Sequence, residues 1–340
     1  MSNYWQIAAG SEGKGRDYAD EFLRFGMAFV GGDVQCQTMA DVQVGECVIL
    51  KRGKTQMVAA GLVVERNGVH SGDGDKQWLR DFDGWDLRAW CHVDWRVPEK
   101  PRTVQGFTRN TIQNVWLPSL ITEADKLLTL PVHPHDKEPQ PIEPVADAEI
   151  LDFLINKGLR PAAAEELTQA FNRIRLLARY YRNQCEWEDI REHETRTFLV
   201  MPLLLALGWS EQQLKIELTA KGVGKMDVAC FSKAYQRDRK GRPNHDDCVL
   251  IIETKGFKSG LSFTHHQAKR YAQEFPSCKA VVVTNGYCYK TYPKDKTGAF
   301  ADYPSAYLNL LDPRQRYPLD PVNVGGALEV LRMLLTQSWH

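Results

Sequence analysis

The sequence has no net charge and no long hydrophobic run. Its 340 residues hold 43 Lys and Arg against 43 Asp and Glu, which excludes a uniformly basic binder of the chromatin type. The longest strongly apolar stretch, residues 200–209, is too short to cross a bilayer, and no charged and apolar secretory leader precedes Tyr4 and Trp5. We therefore predict a cytoplasmic protein with no membrane partner, and the length favours about two domains.

Motifs for zinc, disulfides and nucleotides are also missing. No two of the eight cysteines form a C-x-x-C pair, and the pair His265–His266 has no Cys or carboxylate partner at a zinc-site spacing. No G-x-x-x-x-G-K-[ST] motif occurs, and the glycine-rich residues 10–15 have the wrong spacing and no following Ser or Thr. We therefore predict reduced, buried thiols, a flexible loop at residues 10–15 and no use of ATP.

A proline-rich stretch divides the chain. Five of the 17 prolines lie between Pro131 and Pro144. Proline lacks a backbone donor and fixes φ, so we expect an extended connector at residues 131–147 that folds into neither domain. The domains are then residues 1–130, with a net charge of −2, and residues 148–340, with +5. A mildly cationic C-terminal domain suits a polyanionic substrate.

The two domains differ in their predicted elements. The first has helical spacing at residues 17–25 and short apolar runs at 27–30, 46–50, 57–64 and 90–95, separated by glycine-rich turns. This pattern predicts a small, strongly curved β-barrel with a helix on its side. The second has predicted helices at 146–184, 188–207, 264–274 and 322–337, and predicted strands at 214–218, 226–231, 248–253, 279–284 and 287–292. That order predicts an α/β domain with a mixed sheet flanked by helices.

The sharpest local feature is an acidic and a basic residue at the end of an apolar run. In residues 249–256, Glu253 and Lys255 are two apart and project from the same side of a strand, and Asp227 lies in another predicted strand. Two neighbouring carboxylates repel each other unless a divalent cation lies between them, and Mg²⁺ accepts carboxylate and phosphate oxygens. A nearby lysine would orient or deprotonate the attacking water. The alternative is a solvated Glu–Lys pair at a strand end.

Further motifs surround these residues in a fixed order. They are Glu194-Thr195-Arg196, the apolar run 199–209, Glu217, Gly224-Lys225-Met226-Asp227, Ile252-Glu253-Thr254-Lys255, Gln267-Ala268-Lys269-Arg270-Tyr271 and Val283-Thr284-Asn285-Gly286. Over residues 188–293 this series resembles the nuclease domain at the N-terminus of type I restriction motor subunits, although the usual Pro before the Asp is absent. The resemblance implies a PD-(D/E)xK nuclease with Asp227, Glu253 and Lys255 as its catalytic set and Mg²⁺ or Mn²⁺ on the two carboxylates.

The same resemblance implies roles for three further residues. Gln267 and Tyr271 would be accessory residues near the phosphate, and Glu194 would be an additional carboxylate of the metal shell. The alternatives are that Glu194 pairs with Arg191 or Arg196 on its own helix and that Tyr271 belongs to the core.

Aromatic residues concentrate in the N-terminal domain, where five of the nine tryptophans lie within residues 78–116. Some must be core residues of a small barrel, but indoles are also the walls of pockets that stack an extruded base. Glycines and aromatics over residues 3–118 resemble an EVE-type domain of the PUA superfamily. They are found in 4–10, 29–32, 44–48, at Gly53, and in 60–63 and 93–95.

That resemblance implies a β-barrel that holds a modified base in an aromatic cage. The candidates for the cage are Asp33, Phe82, Trp85 and Trp90. The candidates for contacts to the DNA backbone are Lys51, Arg52 and Lys54, for which the alternative is a solvated hairpin turn.

Together these features predict a modification-dependent (type IV) restriction endonuclease that flips a modified cytosine, 5-methyl or 5-hydroxymethyl, and cuts duplex DNA with Mg²⁺. Because one such active site cuts one strand, we expect a homodimer. Two alternatives remain, namely an RNA-directed nuclease, since PUA-type barrels also bind RNA, and a non-catalytic reader of modified nucleic acid.

Overall fold

The computed structural model describes residues 3–11, 16–183, 190–220, 224–237, 244–261 and 264–339. The chain forms two compact units, residues 1–141 and 142–340, and their boundary lies within the predicted connector. Residues 12–15, 184–189 and 221–223 lie outside the described residues. Four of the six residues of the predicted loop at 10–15 are therefore not described.

The N-terminal unit contains a nine-stranded mixed sheet that curls into a half-barrel. Its strands are β1 Tyr4–Ser11, β2 Arg16–Asp17, β3 Met27–Val30, β4 Cys47–Arg52, β5 Gln56–Val63, β6 Ser71–Asp73, β7 Ala89–Arg96, β8 Arg102–Thr103 and β9 Ile112–Asn114. The order is β2-β1-β4-β5-β7-β3, with β6 on β7, β8 on β5 and β9 on β1. Only the β1–β4 pair is parallel among these strands.

Two features of the N-terminal sheet account for its curl. The register shifts between Ala8 and Gly10 on β1 and between Leu50 and Lys51 on β4, and such bulges increase the twist of a strand. At Gly61, a Cβ would lie 2.5 Å from Cγ1 of Val93, so glycine lets β5 and β7 approach closely. The helices of this unit are α1 Ala19–Phe25, α2 Asp33–Ala40, α3 Gln77–Arg80 and α4 Pro118–Leu128.

The C-terminal unit contains a six-stranded mixed sheet in the order β10-β11-β12-β13-β14-β15. The strands are β10 Leu214–Ala220, β11 Gly224–Phe231, β12 Cys248–Thr254, β13 Ala280–Thr284, β14 Cys288–Pro293 and β15 Ala306–Asn309. The parallel pair is β12–β13, and both strands are buried along their whole length. A strand that is buried on both faces of its sheet needs apolar side chains on both sides, which explains why the sequences of β12 and β13 are continuously apolar. Such a sheet is covered by helices on its two faces.

The helices of the C-terminal unit are α5 Asp147–Asn156, α6 Ala163–Asn183, α7 Glu192–Thr195, α8 Met201–Ala206, α9 His265–Ala272 and α10 Ala327–Leu334. A π-helical turn, Arg196–Val200, joins α7 to α8, and short 3-10 turns occur at Glu211–Gln213, His245–Asp247 and Thr336–Trp339. The predicted order of helix, three strands, helix and two strands is confirmed. Strand β15 was not predicted, and the predicted helix at 146–184 is two helices because Gly158 and Pro161 interrupt it.

The expectation that the connector packs on neither domain is wrong. The backbone N–H of His133 donates to the carbonyl of Trp95 at 2.7 Å, within the N-terminal unit. The backbone N–H of Val145 donates to the carbonyl of Pro313 at 2.9 Å, within the C-terminal unit. An extended proline-rich segment keeps its remaining N–H groups available, and here folded neighbours accept from them.

The seven cysteines within the described residues are buried and free, as predicted, and Cys185 lies outside that part of the chain. None of the described helices is both long enough and apolar enough to traverse a lipid bilayer.

Candidate active site

Three carboxylates lie side by side on neighbouring strands of the C-terminal sheet. Glu217 is on β10, Asp227 on β11 and Glu253 on β12. Glu217 and Asp227 lie between the same two paired positions, Ile216–Val228 and Leu218–Met226, and Glu253 directly follows Ile252, the partner of Val228. Strand pairing therefore brings three negatively charged residues onto neighbouring strands.

A buried arginine links two of these carboxylates. Arg196, which is 4% exposed, donates from Nη1 to Oδ1 of Asp227 at 2.7 Å and from Nη2 to Oε1 of Glu217 at 2.8 Å. Sequence reasoning assigned no role to Arg196 beyond pairing with Glu194. The available signal was its helical spacing, because Arg196 occupies the same face as the buried Leu199 and Leu203.

The helix that carries Arg196 is locally widened. Met201 donates its backbone N–H to the carbonyl of Arg196, five residues earlier, as in a π-helical turn. Pro202 follows directly and has no N–H, so one α-helical hydrogen bond is missing at this point. The turn and the proline together set the position from which Arg196 reaches the sheet.

The second oxygen of Asp227 is held by the neighbouring strand. Oδ2 accepts hydrogen bonds from both the backbone N–H and Oγ1 of Thr254, each at 2.7 Å. Thr254 is completely buried, and it lies between Glu253 and Lys255. Asp227 is thus oriented by three donors, of which sequence reasoning identified none.

Glu253 and Lys255 form a short pair, as the two-residue spacing predicts. Nζ of Lys255 lies 2.6 Å from Oε1 of Glu253 and 3.4 Å from Oε1 of Glu192. The other oxygen of Glu253, Oε2, is buried and accepts no hydrogen bond within the described residues. A buried acceptor without a donor is costly, so this atom marks a place where a ligand would be stabilised.

Burial governs the titration of this pair. Desolvation raises the pKa of Glu253 to about 7, and the neighbouring Lys255 opposes the rise while Asp227 adds to it. Burial lowers the pKa of Lys255, but the attraction of Glu253, Glu192 and Asp227 outweighs burial and raises it overall. Lys255 is therefore positively charged at neutral pH.

The two predicted accessory residues contact each other on α9. Nε2 of Gln267 donates to the hydroxyl of Tyr271 at 2.8 Å, and Tyr271 is 5% exposed. At Gly224, where φ is +130°, a Cβ would lie 3.0 Å from that hydroxyl, so β11 begins close against the tyrosine. Within the described residues, neither side chain forms a hydrogen bond with Asp227, Glu253 or Lys255.

The structure places Glu194 in a helix cap. Its Oε2 accepts the backbone N–H of Arg191 at 3.1 Å, which satisfies one free donor at the start of α7. Glu192, rather than Glu194, is the carboxylate of this helix that lies beside Lys255.

Asp227 and Glu253 fit a divalent cation as a two-carboxylate site. Mg²⁺ is commonly bound by one or two carboxylates together with water and phosphate oxygens, and Oε2 of Glu253 is a buried oxygen with no competing donor. A cation on Asp227 would share its carboxylate with Arg196 and Thr254. The described part of the chain contains no group of three or more His, Cys, Asp or Glu side chains arranged to hold a metal.

Two of the predicted base-binding residues lie in the core of the N-terminal unit. Phe82 and Trp90 are each 1% exposed, and Phe82 packs against Phe29 with ring centroids 5.3 Å apart. Neither therefore presents an open face to a base, because the small barrel uses these rings to fill its interior. Trp85 is partly exposed, with a buried indole N–H that has no acceptor among the described residues, and Asp33 is exposed beside Arg88.

The predicted backbone-binding cations also differ in position. Lys51 is 2% exposed, and its Nζ donates to the carbonyl of Thr108 at 2.6 Å, while burial lowers its pKa to about 8. It is therefore an interior residue and does not reach a phosphate outside the unit. Arg52 pairs with Asp17, and Lys54 is exposed.

Comparison of the chain with protein families, with curated proteins and with solved structures finds no match.

Proposed function

We propose that the C-terminal unit is a metal-dependent nuclease of the PD-(D/E)xK type that hydrolyses DNA phosphodiesters. The observation that supports this most strongly is the environment of Glu253. Its carboxylate is buried, one oxygen is unpartnered, Lys255 lies at 2.6 Å and Asp227 lies on the adjacent strand. An ordinary surface Glu–Lys pair would be solvated on both sides and would leave no acceptor buried.

Each residue has a distinct part in the proposed reaction. Lys255 offers a positive charge to a non-bridging phosphate oxygen and to the negative charge that develops in the transition state. Arg196 and Thr254 keep the Asp227 carboxylate in one orientation, so it needs no rearrangement when substrate arrives. Asp227 and Glu253 would hold Mg²⁺ or Mn²⁺, which when bound supplies Lewis-acid stabilisation and a more acidic water.

For the N-terminal unit we propose selection of duplex DNA that carries 5-methyl- or 5-hydroxymethylcytosine. Trp85 supports this role, because it is partly exposed and its indole N–H lacks an acceptor within the described residues. A homodimer is part of the proposal, since one active site cuts one strand.

A non-catalytic reader is the second candidate. Both oxygens of Asp227 already have protein donors, which is also the pattern of a purely structural carboxylate. The two candidates differ in what divalent metal does to the protein.

Cleavage of modified plasmid DNA in Mg²⁺ or Mn²⁺ tests the proposal. Asp227→Ala, Glu253→Gln and Lys255→Ala should each abolish cleavage and keep binding to modified DNA, whereas Lys258→Ala, at an exposed position three residues on, should cut normally. Metal should raise the melting temperature of the parent protein but not of Asp227→Ala. Cleavage by Asp227→Ala at the parent rate would refute the assignment. No cleavage and no thermal shift in the parent would favour the non-catalytic reader.

A further inference from the structure

The long helix α6 of the C-terminal unit has an exposed side that is partly apolar. The side chains on its inner side pack into the core, and they are Leu167, Phe171, Ile174, Ala178 and Tyr181. The exposed side, called the α6 face below, consists of residues three or four apart, namely Glu165, Gln169, Asn172, Leu176 and Tyr180. Leu176 is 72% exposed, and Tyr180 is 45% exposed. A leucine that is mostly in water contributes little to the folding of its own unit.

A groove lies between the first half of α6 and helix α8. It has a volume of about 320 Å³, and its walls include Gln169 and Ala170 from α6 and Pro202 and Leu205 from α8. Leu205 is 37% exposed, and Phe198, on the π-helical turn before α8, is 42% exposed. Apolar side chains are therefore exposed on both sides of the groove, and a groove between two helices accepts a side chain that projects from a third.

The charges of α6 are segregated along its length. Glu165 and Glu166 lie in the first turn, whereas Arg173, Arg179 and Arg182 are exposed from the middle of the helix onward. The helix dipole favours such charges only within the terminal turns, so it does not account for Arg173 and Arg179. A helix with an acidic beginning and a basic remainder is complementary to a second copy of itself that runs in the opposite direction.

One two-fold axis satisfies both the charges and the groove. Glu165 and Arg179 each lie seven residues from Asn172, which is about 10 Å along the helix. With the axis at Asn172, Arg179 of an antiparallel second copy therefore lies opposite Glu165. Leu176 then lies opposite Gln169 of the second copy, at the mouth of the groove, and each of these contacts occurs twice.

We propose that the α6 face and the adjoining groove form a homodimer interface in which two copies of α6 pack antiparallel. Leu176 of each copy occupies the groove of the other, and Glu165 of each copy pairs with Arg179 of the other. The inference rests on the homodimer of the proposed function and names its surface. It requires neither metal nor cleavage, because its contacts do not involve the carboxylates of the candidate active site.

Sedimentation velocity of the full chain in EDTA, without DNA and over a range of protein concentrations, tests the proposal. The parent should be a dimer that dissociates on dilution. Leu176→Lys should raise the dimer dissociation constant by roughly 10- to 100-fold, because two leucines lose their burial in each dimer. Val322→Lys, at another exposed apolar position of the same unit, is the matched control and should leave the constant unchanged. Both variants should melt like the parent, since both side chains are exposed.

Exchange of the two charges tests the alignment of the helices. Glu165→Arg and Arg179→Glu should each raise the dissociation constant by roughly 3- to 30-fold, because each places like charges opposite each other at two symmetric positions. The double variant should recover most of the affinity of the parent. A double variant that dimerises no better than the single variants would overturn the proposed pairing.

Two other results would overturn the interface itself. A Leu176→Lys protein that dimerises like the parent would show that the dimer uses another surface. A parent that is monomeric at all concentrations would show that the α6 face has a different partner. Neither result refutes the proposed nuclease, because a monomeric nuclease would still nick one strand of modified DNA in Mg²⁺.

Discussion

Nη1 of Arg196 donates to Oδ1 of Asp227 at 2.7 Å, and this contact joins a helix to the central sheet of the C-terminal unit through a buried charge. A buried positive charge must be compensated by negative charge, and the carboxylates of Asp227 and Glu217 compensate that of Arg196. The site and the fold of this unit therefore depend on the same residue.

Substitution of Arg196 should destabilise the protein strongly. Arg196→Met removes the cation and leaves Asp227 with a less compensated charge, and the loss of one partner of a buried pair costs about 3–5 kcal/mol. Urea unfolding of Arg196→Met, Asp227→Asn and the double variant measures the coupling. We expect the double variant to be less destabilised than the sum of the single variants. Additive effects would show that the two side chains do not interact.

The hydroxyl of Thr254 should contribute to stability and to the rate of cleavage without being essential for either. Thr254→Val keeps the shape of the side chain and removes the hydroxyl that donates to Asp227, while the backbone N–H remains. A hydrogen bond to a charged group contributes about 1.5–3 kcal/mol, so unfolding should shift by that amount, and cleavage should slow but persist. Thr219→Val, an exposed position on β10, is the matched control and should change neither quantity. Equal effects at both positions would contradict the assignment.

Two buried histidines predict acid sensitivity. Burial lowers the pKa of His92 and of His265 to about 4, below the ordinary value of about 6.5. At these two histidines the unfolded chain binds protons more readily between these values, so their contribution to stability is lost as pH falls from about 6.5 to about 4. Glu253, whose pKa is raised to about 7, acts in the opposite sense, because its folded form binds a proton more readily than the unfolded chain does. The loss is on the order of 3 kcal/mol for each residue.

Thermal melting of His265→Gln across this range measures the effect for one of them. As pH falls from 7 to 4.5, the difference in melting temperature between the variant and the parent should shift in favour of the variant. An identical pH profile would contradict the prediction, because it would mean that His265 has the same pKa in the folded protein as in the unfolded chain.

The connector should matter to the stability of the N-terminal unit. A fragment of residues 1–141 keeps the bonds from His133 to Trp95 and from Asp136 to Arg24, at 2.7 and 2.6 Å, whereas a fragment of residues 1–130 loses both. We expect the longer fragment to melt at a higher temperature, since each net backbone hydrogen bond contributes about 1 kcal/mol. Equal melting temperatures would show that these contacts contribute nothing in solution.

The spacing of apolar and polar residues predicted most of the helices and strands. Contacts between residues that are distant in the sequence were not predicted. The apolar run before Glu253 predicted strand β12, because a buried strand needs continuous apolar residues. The pair Glu253–Lys255 followed from the two-residue period of a strand. Arg196 was missed because its carboxylate partners are 21 and 31 residues distant, and only strand pairing brings them together. Lys51 was taken for a surface cation, since sequence shows charge but not burial.

The division of the connector has a practical consequence for protein engineering. The contacts of His133 belong to one unit and those of Val145 to the other, so a junction between residues 141 and 142 leaves both sets intact. A chimera joined there would carry each unit as a complete cassette. A chimera joined at Pro131 would instead lack the part of the N-terminal unit that contains His133 and Asp136. If such a chimera failed to function, the cause would be this truncation rather than incompatibility of the two units.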